Sequence, residues 1–186
     1  MTASRDQATE PAVDATERTV AFYPGSFDPL TNGHVDIILR GLRTFEGVIV
    51  ALTHNVSKQP LFSLQERKSF IEEVFADVER VQVVIFEGLM VHAARAHGAR
   101  NVLRGLRGVA DFEYEFQLAT MNKTLEPEIE TVFLMTEKSH AFVSSKLVRE
   151  VAGLGGDVSQ LVPSVVARAL EERFGPPRSR HTINGS

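Results

Sequence analysis

A chain of 186 residues is long enough to bury a substantial core and short for two domains, so a single domain is expected. Hydrophobic residues make up 43% and charged ones 24%, which excludes a disordered or fibrous chain, and a net charge of -4 argues against a general nucleic-acid binder, because such proteins carry a basic excess. Cysteine is absent, which excludes disulfides, thiolate metal sites and thiol nucleophiles and suits a reducing, cytoplasmic setting.

No apolar run reaches membrane-spanning length and no signal-peptide core opens the chain, so neither membrane nor export is expected. Residues 1–17 are small and polar without apolar period and are expected to be a flexible tail. Residues 18–174 form the expected domain, and 175–186 a second flexible tail.

Within the domain, short β-rich runs alternate with helix-like segments. TVAFY (19–23), VIVAL (48–52), VQVVIF (81–86), NVLR (101–104) and TVFLM (131–135) read as strands. Strands separated by helices predict a parallel sheet with crossover helices. A helix is expected from about Val35. Ser63 and Glu66 have capping-box spacing at the head of LQERKSFIEEVF, and Pro163 suits the first turn of PSVVARALEERF. DFEYEFQL (111–118) alternates like a strand, yet its composition and the Phe112, Phe116, Ala119 spacing predict a helix.

The first strand runs into Tyr23-Pro24-Gly25-Ser26-Phe27-Asp28-Pro29-Leu30-Thr31-Asn32-Gly33-His34. In a parallel α/β sheet, the loop at a strand's carboxyl end and the following helix N-terminus form the usual ligand crevice. Free N–H groups and partial positive charge there suit phosphate. Gly33 permits close backbone approach, and His34 would project its imidazole into the anion pocket.

Two further strings stand in order downstream: Arg104-Gly105-Leu106-Arg107 with Ala110-Asp111-Phe112-Glu113-Tyr114-Glu115, and Phe142-Val143-Ser144-Ser145-Lys146-Leu147-Val148-Arg149. Each residue set has a plain structural reading as well. Gly33 and His34 could be a turn and a helix start, Arg104 and Arg107 surface ion-pair partners, Ser144 and Ser145 an N-cap, and Lys58 a solvated loop lysine. His54, His92, His97, His140 and His181 show no metal-ligand spacing. Neither a G-x-x-x-x-G-K-[ST] loop nor a G-x-G-x-x-G fingerprint occurs, which leaves P-loop ATPases and ordinary dinucleotide oxidoreductases poor readings.

Taken together, the three strings resemble a known family. Y-P-G-S-F-D-P-L-T-N-G-H is similar to the (T/H)xGH signature of the nucleotidyltransferase superfamily, and nearly letter for letter to its version in phosphopantetheine adenylyltransferase. RGLR with DFEYE resembles the same family, and FVSSKLVR the superfamily's ISSxxxR motif. The resemblance spans roughly residues 19–174. It implies an α/β fold, a Rossmann-like doubly wound parallel sheet in a single domain. It also implies transfer of AMP from ATP to 4'-phosphopantetheine, giving dephospho-coenzyme A and pyrophosphate, with Mg²⁺ arriving on ATP.

By the same resemblance His34 and Lys58 act at the α-phosphate. ATP is held by Ser26, Phe27, His34, Gly105, Leu106, Arg107 and Glu115 and by the 140–146 stretch, His140, Ala141, Phe142, Val143, Ser144, Ser145 and Lys146. Lys146 stands where the family often has a small hydroxyl residue. Ser26, Lys58, Met90 and Arg104, with Leu89 adjacent, hold the phosphopantetheine side. A homohexamer and feedback inhibition by coenzyme A are implied as well. The rivals are a nicotinate-mononucleotide adenylyltransferase, a cytidylyltransferase, which would lack RGLR with DFEYE, and a non-catalytic sensor, which would be expected to have lost His34 or Lys58.

Overall fold

The computed structural model describes residues 19–53 and 59–178. Residues 1–18, 54–58 and 179–186 lie outside the described residues, and with them Lys58, His54, His181, the N-terminal tail and most of the C-terminal one.

Five strands form one parallel sheet: β1 (Val20–Gly25), β2 (Gly47–Thr53), β3 (Val81–Phe86), β4 (Asn101–Leu106) and β5 (Glu130–Met135). Their spatial order is β3-β2-β1-β4-β5, so the winding direction reverses between β1 and β4. The carboxyl ends of all five strands share one edge, and the reversal point is where a doubly wound sheet opens a ligand crevice.

The helices are α1 (Asn32–Thr44), α2 (Leu64–Val74), α3 (Met90–Ala96), α4 (Val109–Leu125), α5 (Ser145–Gly153) and α6 (Ser164–Phe174). Alternate residues along each strand feed two apolar layers, as a period of two requires. Tyr23, Val48, Val50 and Leu103 face the larger layer with residues of α1, α2, α5 and α6, such as Ile37, Ile38, Ile71, Val148 and Val166. Phe22, Ile49, Ala51 and Val102 face a smaller layer under α3. Helix α4 covers the far end of that second face, where Phe112 meets Phe133 of β5 edge-on at 6.3 Å.

The strands expected from sequence are all present, as is the helix chosen over a strand at 111–118. Helix α1 begins one turn earlier than the expected Val35. Thr31 is its N-cap, its hydroxyl accepting from the His34 N–H, while the His34 ring accepts the Thr31 N–H. Histidine thus does the work that Glu or Gln does in the usual capping box, and the pattern was not recognisable as a helix start for that reason. Pro163 sits at the N-cap of α6 rather than in its first turn. Strand β1 runs two residues further than expected, through Pro24 and Gly25. Its ladder to β4 covers Ala21 and Phe22, and the Pro24 carbonyl faces the β4 side, where Arg104 Nη1 donates to it at 2.9 Å. A residue's N–H and C=O point to the same side of a strand, so the missing N–H of Pro24 costs no bond to β2.

Ser63 and Glu66 form the expected capping box at α2, with Ser63 N–H donating to Glu66 at 2.7 Å and Glu66 N–H to the Ser63 hydroxyl at 3.2 Å. Ser63→Ala is expected to destabilise the fold by about 1 kcal/mol, read as a lower urea midpoint with unchanged slope.

Candidate active site

The loop after β1 is bound from three directions. Asp28, 4% exposed, accepts the Leu61 N–H at 3.0 Å and the Phe62 N–H at 3.0 Å, and pairs with Arg149 Nη1 at 2.5 Å. Arg149 also donates to the Asp28 backbone carbonyl at 2.9 Å. Arg67, buried on α2, donates from Nη1 to the Ser26 carbonyl at 2.7 Å and from Nε to the Ser63 carbonyl at 3.3 Å. The Ser145 hydroxyl donates to the Pro29 carbonyl at 2.8 Å. So anchored, the loop holds Phe27 at φ 45°, a conformation that is strained for an aromatic residue and persists only where its surroundings impose it. The Phe27 ring is buried edge-on against Tyr23 at 5.4 Å and His34 at 5.1 Å. A Cβ on Gly25 would lie 2.8 Å from that ring, so glycine is required there.

Beside this loop, at the β1–β4 reversal point, lies a cavity of about 450 Å³. Its walls include Ser26, Phe27 and His34 from the first motif, Arg104, Gly105, Arg107 and Glu115 from the second, and His140, Val143, Ser144 and Ser145 from the third. Three strings, the first and last more than a hundred positions apart in sequence, therefore meet at one place. Gly33 packs against this third segment, since a Cβ there would stand 3.4 Å from the His140 Cβ.

The His34 ring accepts the Thr31 N–H on Nδ1 at 3.0 Å, with the Thr31 hydroxyl 3.1 Å away. An Nδ1 that accepts carries no proton, so the neutral ring bears its hydrogen on Nε2. Burial, and then the charges of Arg107 and Arg104, lower the His34 pKa to about 4. The imidazole is neutral at pH 7 and presents an N–H donor.

The two arginines meet carboxylates one turn apart on α4. Arg104 is bidentate on Glu115, Nε at 2.7 Å and Nη2 at 2.5 Å. Burial works to lower the Arg104 pKa, and the hydrogen bonds and charge of Glu115 outweigh it, leaving it raised. Arg107 grips Asp111 through Nε at 2.9 Å and Nη2 at 3.1 Å. Those hydrogen bonds hold the Asp111 carboxyl below the usual carboxylate range. Each guanidinium keeps N–H groups beyond those it spends on its partner.

Ser144 caps α5, accepting the Leu147 N–H at 3.1 Å; the N-cap reading of this serine is thus realised at the cavity wall. Ala141 and Phe142 continue the turn after a short 3₁₀ segment, Lys138–His140, and the Phe142 side chain is exposed. Leu106 is buried, its carbonyl accepting from Thr136. The Lys146 side chain points to solvent near Glu150. Met90 opens α3 after β3, at the same sheet edge but outside the cavity wall, with Leu89 half exposed. Asp28, Arg67 and Asp111 carry no signal of their own in the sequence, because an isolated Asp or Arg has none until its partner is known. Arg149 stands in the sequence only as the last letter of a motif.

Known proteins resemble this chain over most of its length. Residues 22–151 match the Cytidylyltransferase-like family. The phosphopantetheine adenylyltransferase of Anaeromyxobacter sp. (strain K) is 57% identical over 160 residues, covering 86% of this chain and 98% of that protein. The chain belongs to the phosphopantetheine adenylyltransferase family. A further member, from Alkalilimnicola ehrlichii, is 54% identical over 160 residues, covering 85% of this chain and 92% of its own. Among solved structures, a putative nicotinate-nucleotide adenylyltransferase from Vibrio parahaemolyticus superposes with a TM-score of 0.63 at 16% identity, over 87% of this chain and 97% of that one. At that identity the likeness establishes the fold alone. For a phosphopantetheine adenylyltransferase, a neutral imidazole and two arginines beside a helix N-terminus are a fitting set of donors.

The depressed His34 pKa has a defined effect on stability. Between pH 6.5 and about 4 the unfolded chain takes up a proton that the folded one refuses, so folding stability falls as pH falls through that window. The full shift corresponds to about 3 kcal/mol, less to the extent that the ring is reached by water. Urea melts from about pH 7 to about pH 4.5 should show a steeper loss for the parent than for His34→Gln, whose amide can still accept the Thr31 N–H. Parallel curves would contradict the shift.

Proposed function

We infer that the cavity at the β1–β4 reversal point is where AMP is transferred from ATP to 4'-phosphopantetheine, giving dephospho-coenzyme A and pyrophosphate. The observation that carries this reading is the convergence of TNGH, RGLR and the Ser-Ser helix start around one neutral, Nε2-protonated histidine, in a member of this family.

In the reaction a monoester oxygen of 4'-phosphopantetheine attacks the α-phosphorus of ATP. The new P–O bond forms as the bridge to the β-phosphorus breaks, and pyrophosphate leaves with that bond's electron pair. No enzyme nucleophile is needed; positioning and fixed positive charge suffice for such transfers. His34 Nε2–H donates to a non-bridging oxygen of the α-phosphate, where charge builds in the transition state, and the lowered pKa keeps it a neutral donor. The unspent N–H groups of Arg107 hold ATP phosphates, and those of Arg104 the phosphate of the acceptor. The backbone of Ser26, Phe27, Gly105 and Leu106 and the 140–146 segment with the α5 start complete the nucleotide site. Glu115 and Asp111 orient the two arginines. Lys58, assigned to the reacting phosphates by family resemblance, follows β2, whose last residue Thr53 lies at this same sheet edge. Met90 lies after β3 at that edge, on the acceptor side.

Among the described residues no group of three His, Cys, Asp or Glu could hold a metal, and the cavity carboxylates are both engaged by arginine. These residues fit a Mg²⁺ that arrives on the triphosphate, where it supplies charge neutralisation of the polyphosphate. Coenzyme A contains the product's framework and would occupy the same cavity as a feedback inhibitor. A homohexamer is supported by α4, whose Val109, Phe112, Tyr114, Phe116 and Met121 are 85%, 45%, 67%, 56% and 57% exposed, more apolar surface than one helix of a monomer usually leaves in water. Among the described residues no helix is long and apolar enough to cross a membrane, and a cytoplasmic location is proposed because ATP is a substrate.

Pyrophosphate release should require ATP and 4'-phosphopantetheine together; preferred turnover of nicotinate mononucleotide, or of CTP, would overturn the assignment. His34→Ala is expected to lower kcat by about a hundredfold to a thousandfold, as loss of one such donor does, while calorimetric ATP affinity changes only a few-fold. An unchanged kcat would remove His34 from the mechanism. Lys58→Met should lower the single-turnover rate by a similar factor, about a hundredfold or more, without moving the melting temperature.

A further inference from the structure

Arg67 is 3% exposed and lies on α2, behind the loop after β1 and outside the cavity. Its Nη1 donates to the Ser26 carbonyl at 2.7 Å and its Nε to the Ser63 carbonyl at 3.3 Å. Burial lowers its pKa, with the charge of Asp28 opposing that and the charge of Arg149 adding to it. Of the carboxylates whose charge reaches it, Asp28 is already bonded to Arg149 and the half-exposed Glu66 to Arg173. Two guanidiniums therefore share one buried carboxylate, and a positive charge is left beneath the loop. At the cavity wall, by contrast, Arg104 and Arg107 are matched one to one by Glu115 and Asp111.

The orientation of one peptide unit gives this buried cation a route to the reaction. Across a trans peptide the C=O and N–H point in opposite directions. The sole cis bond among the described residues is Asp28–Pro29, so the Ser26–Phe27 unit is trans. With the Ser26 oxygen turned back onto Arg67, the Phe27 N–H is turned the other way, toward the cavity that Ser26 and Phe27 line. Among the described residues that N–H has no acceptor. A cation on the carbonyl also polarises the amide and strengthens its N–H as a donor. The left-handed conformation of Phe27, φ 45°, marks the segment as held against its own preference, as functional loops often are.

We propose that Arg67 is a positioning residue for AMP transfer: by holding the Ser26 carbonyl it aims and polarises the Phe27 N–H at the phosphate being transferred. The inference rests on the reading of the cavity as an ATP site and adds to it a residue that never touches the substrate. Arg67 acts through a peptide unit, so its loss weakens a contact to developing charge more than it weakens ground-state binding.

The test uses the full chain with two readouts. In the first, Arg67→Met is expected to lower kcat by about tenfold to a hundredfold, with KM for ATP changing less than about threefold. Arg67→Lys keeps the charge and one donor for the Ser26 carbonyl, and is expected to be several-fold faster than Arg67→Met. In the second, amide NMR of the parent protein with α,β-methylene-ATP should move the Phe27 N–H resonance strongly. In Arg67→Met that shift should shrink while the Gly105 resonance still responds. The proposal is overturned if Arg67→Met turns over within about twofold of the parent, if the two variants are equally impaired, or if the parent's Phe27 resonance does not respond. The NMR arm on the parent decides even where Arg67→Met does not fold. It also separates this proposal from the assignment of the acceptor, since a parent protein inactive with 4'-phosphopantetheine can still be examined with the ATP analogue.

Discussion

The architecture of the candidate active site depends on one buried carboxylate. Asp28 sits at 4% exposure between the backbone of Leu61 and Phe62 and the guanidinium of Arg149, and so ties together the loop after β1, the segment leading into α2 and helix α5. A carboxylate this deep is tolerable only when its oxygens are filled with donors, and here two N–H groups and an arginine fill them. Removing one partner would leave the other charge buried and alone, typically worse by several kcal/mol. The loop cannot relax to a more comfortable backbone without breaking that set. That is why Phe27 can be kept at φ 45° and why its ring presses against His34.

The phosphate chemistry proposed above adds a second constraint, the need to keep positive charge in a half-buried crevice. Two arginines unpaired at the reversal point would repel one another and the loop. The structure answers with α4, which offers Asp111 and Glu115 one turn apart to Arg107 and Arg104. Each bidentate pair fixes the plane of a guanidinium as well as its charge. A histidine kept neutral adds a donor without adding charge. In the function proposed above, the unspent N–H groups of Arg104 and Arg107 and the helix N-terminus attract the substrate phosphates, and the buried Arg67 acts only through the Phe27 N–H.

Much of this was legible in the amino-acid sequence. VQVVIF is β3 to the residue, and the capping box at Ser63 and Glu66 is present atom for atom, because period and capping are local properties. DFEYEFQL could be read as a helix from composition, though its apolar residues point to several sides. Much of that apolar surface stays exposed, and periodicity measured against a single buried face is weak for such a helix. The sequence puts the start of α1 one turn late because His34 takes the place of Glu or Gln in the capping box, and α3 gives no signal because seven residues carry too little pattern to stand out.

The sequence by itself determined the fold class, the strands and the three strings that make up the site, since these follow from hydrophobic period, turn chemistry and motif order within a few tens of residues. What only the tertiary structure decided was which charge meets which: Asp28 with Arg149 across 121 positions, Arg67 with Ser26 across 41, Arg104 with Glu115 across 11. The tautomer of His34 and the direction of the Phe27 N–H belong to the same class. The physical reason is that an ionic or hydrogen-bonded pair leaves no periodicity in the chain; its partners are brought together by the packing of the sheet and helices, and their identity is set only when that packing removes water from between them.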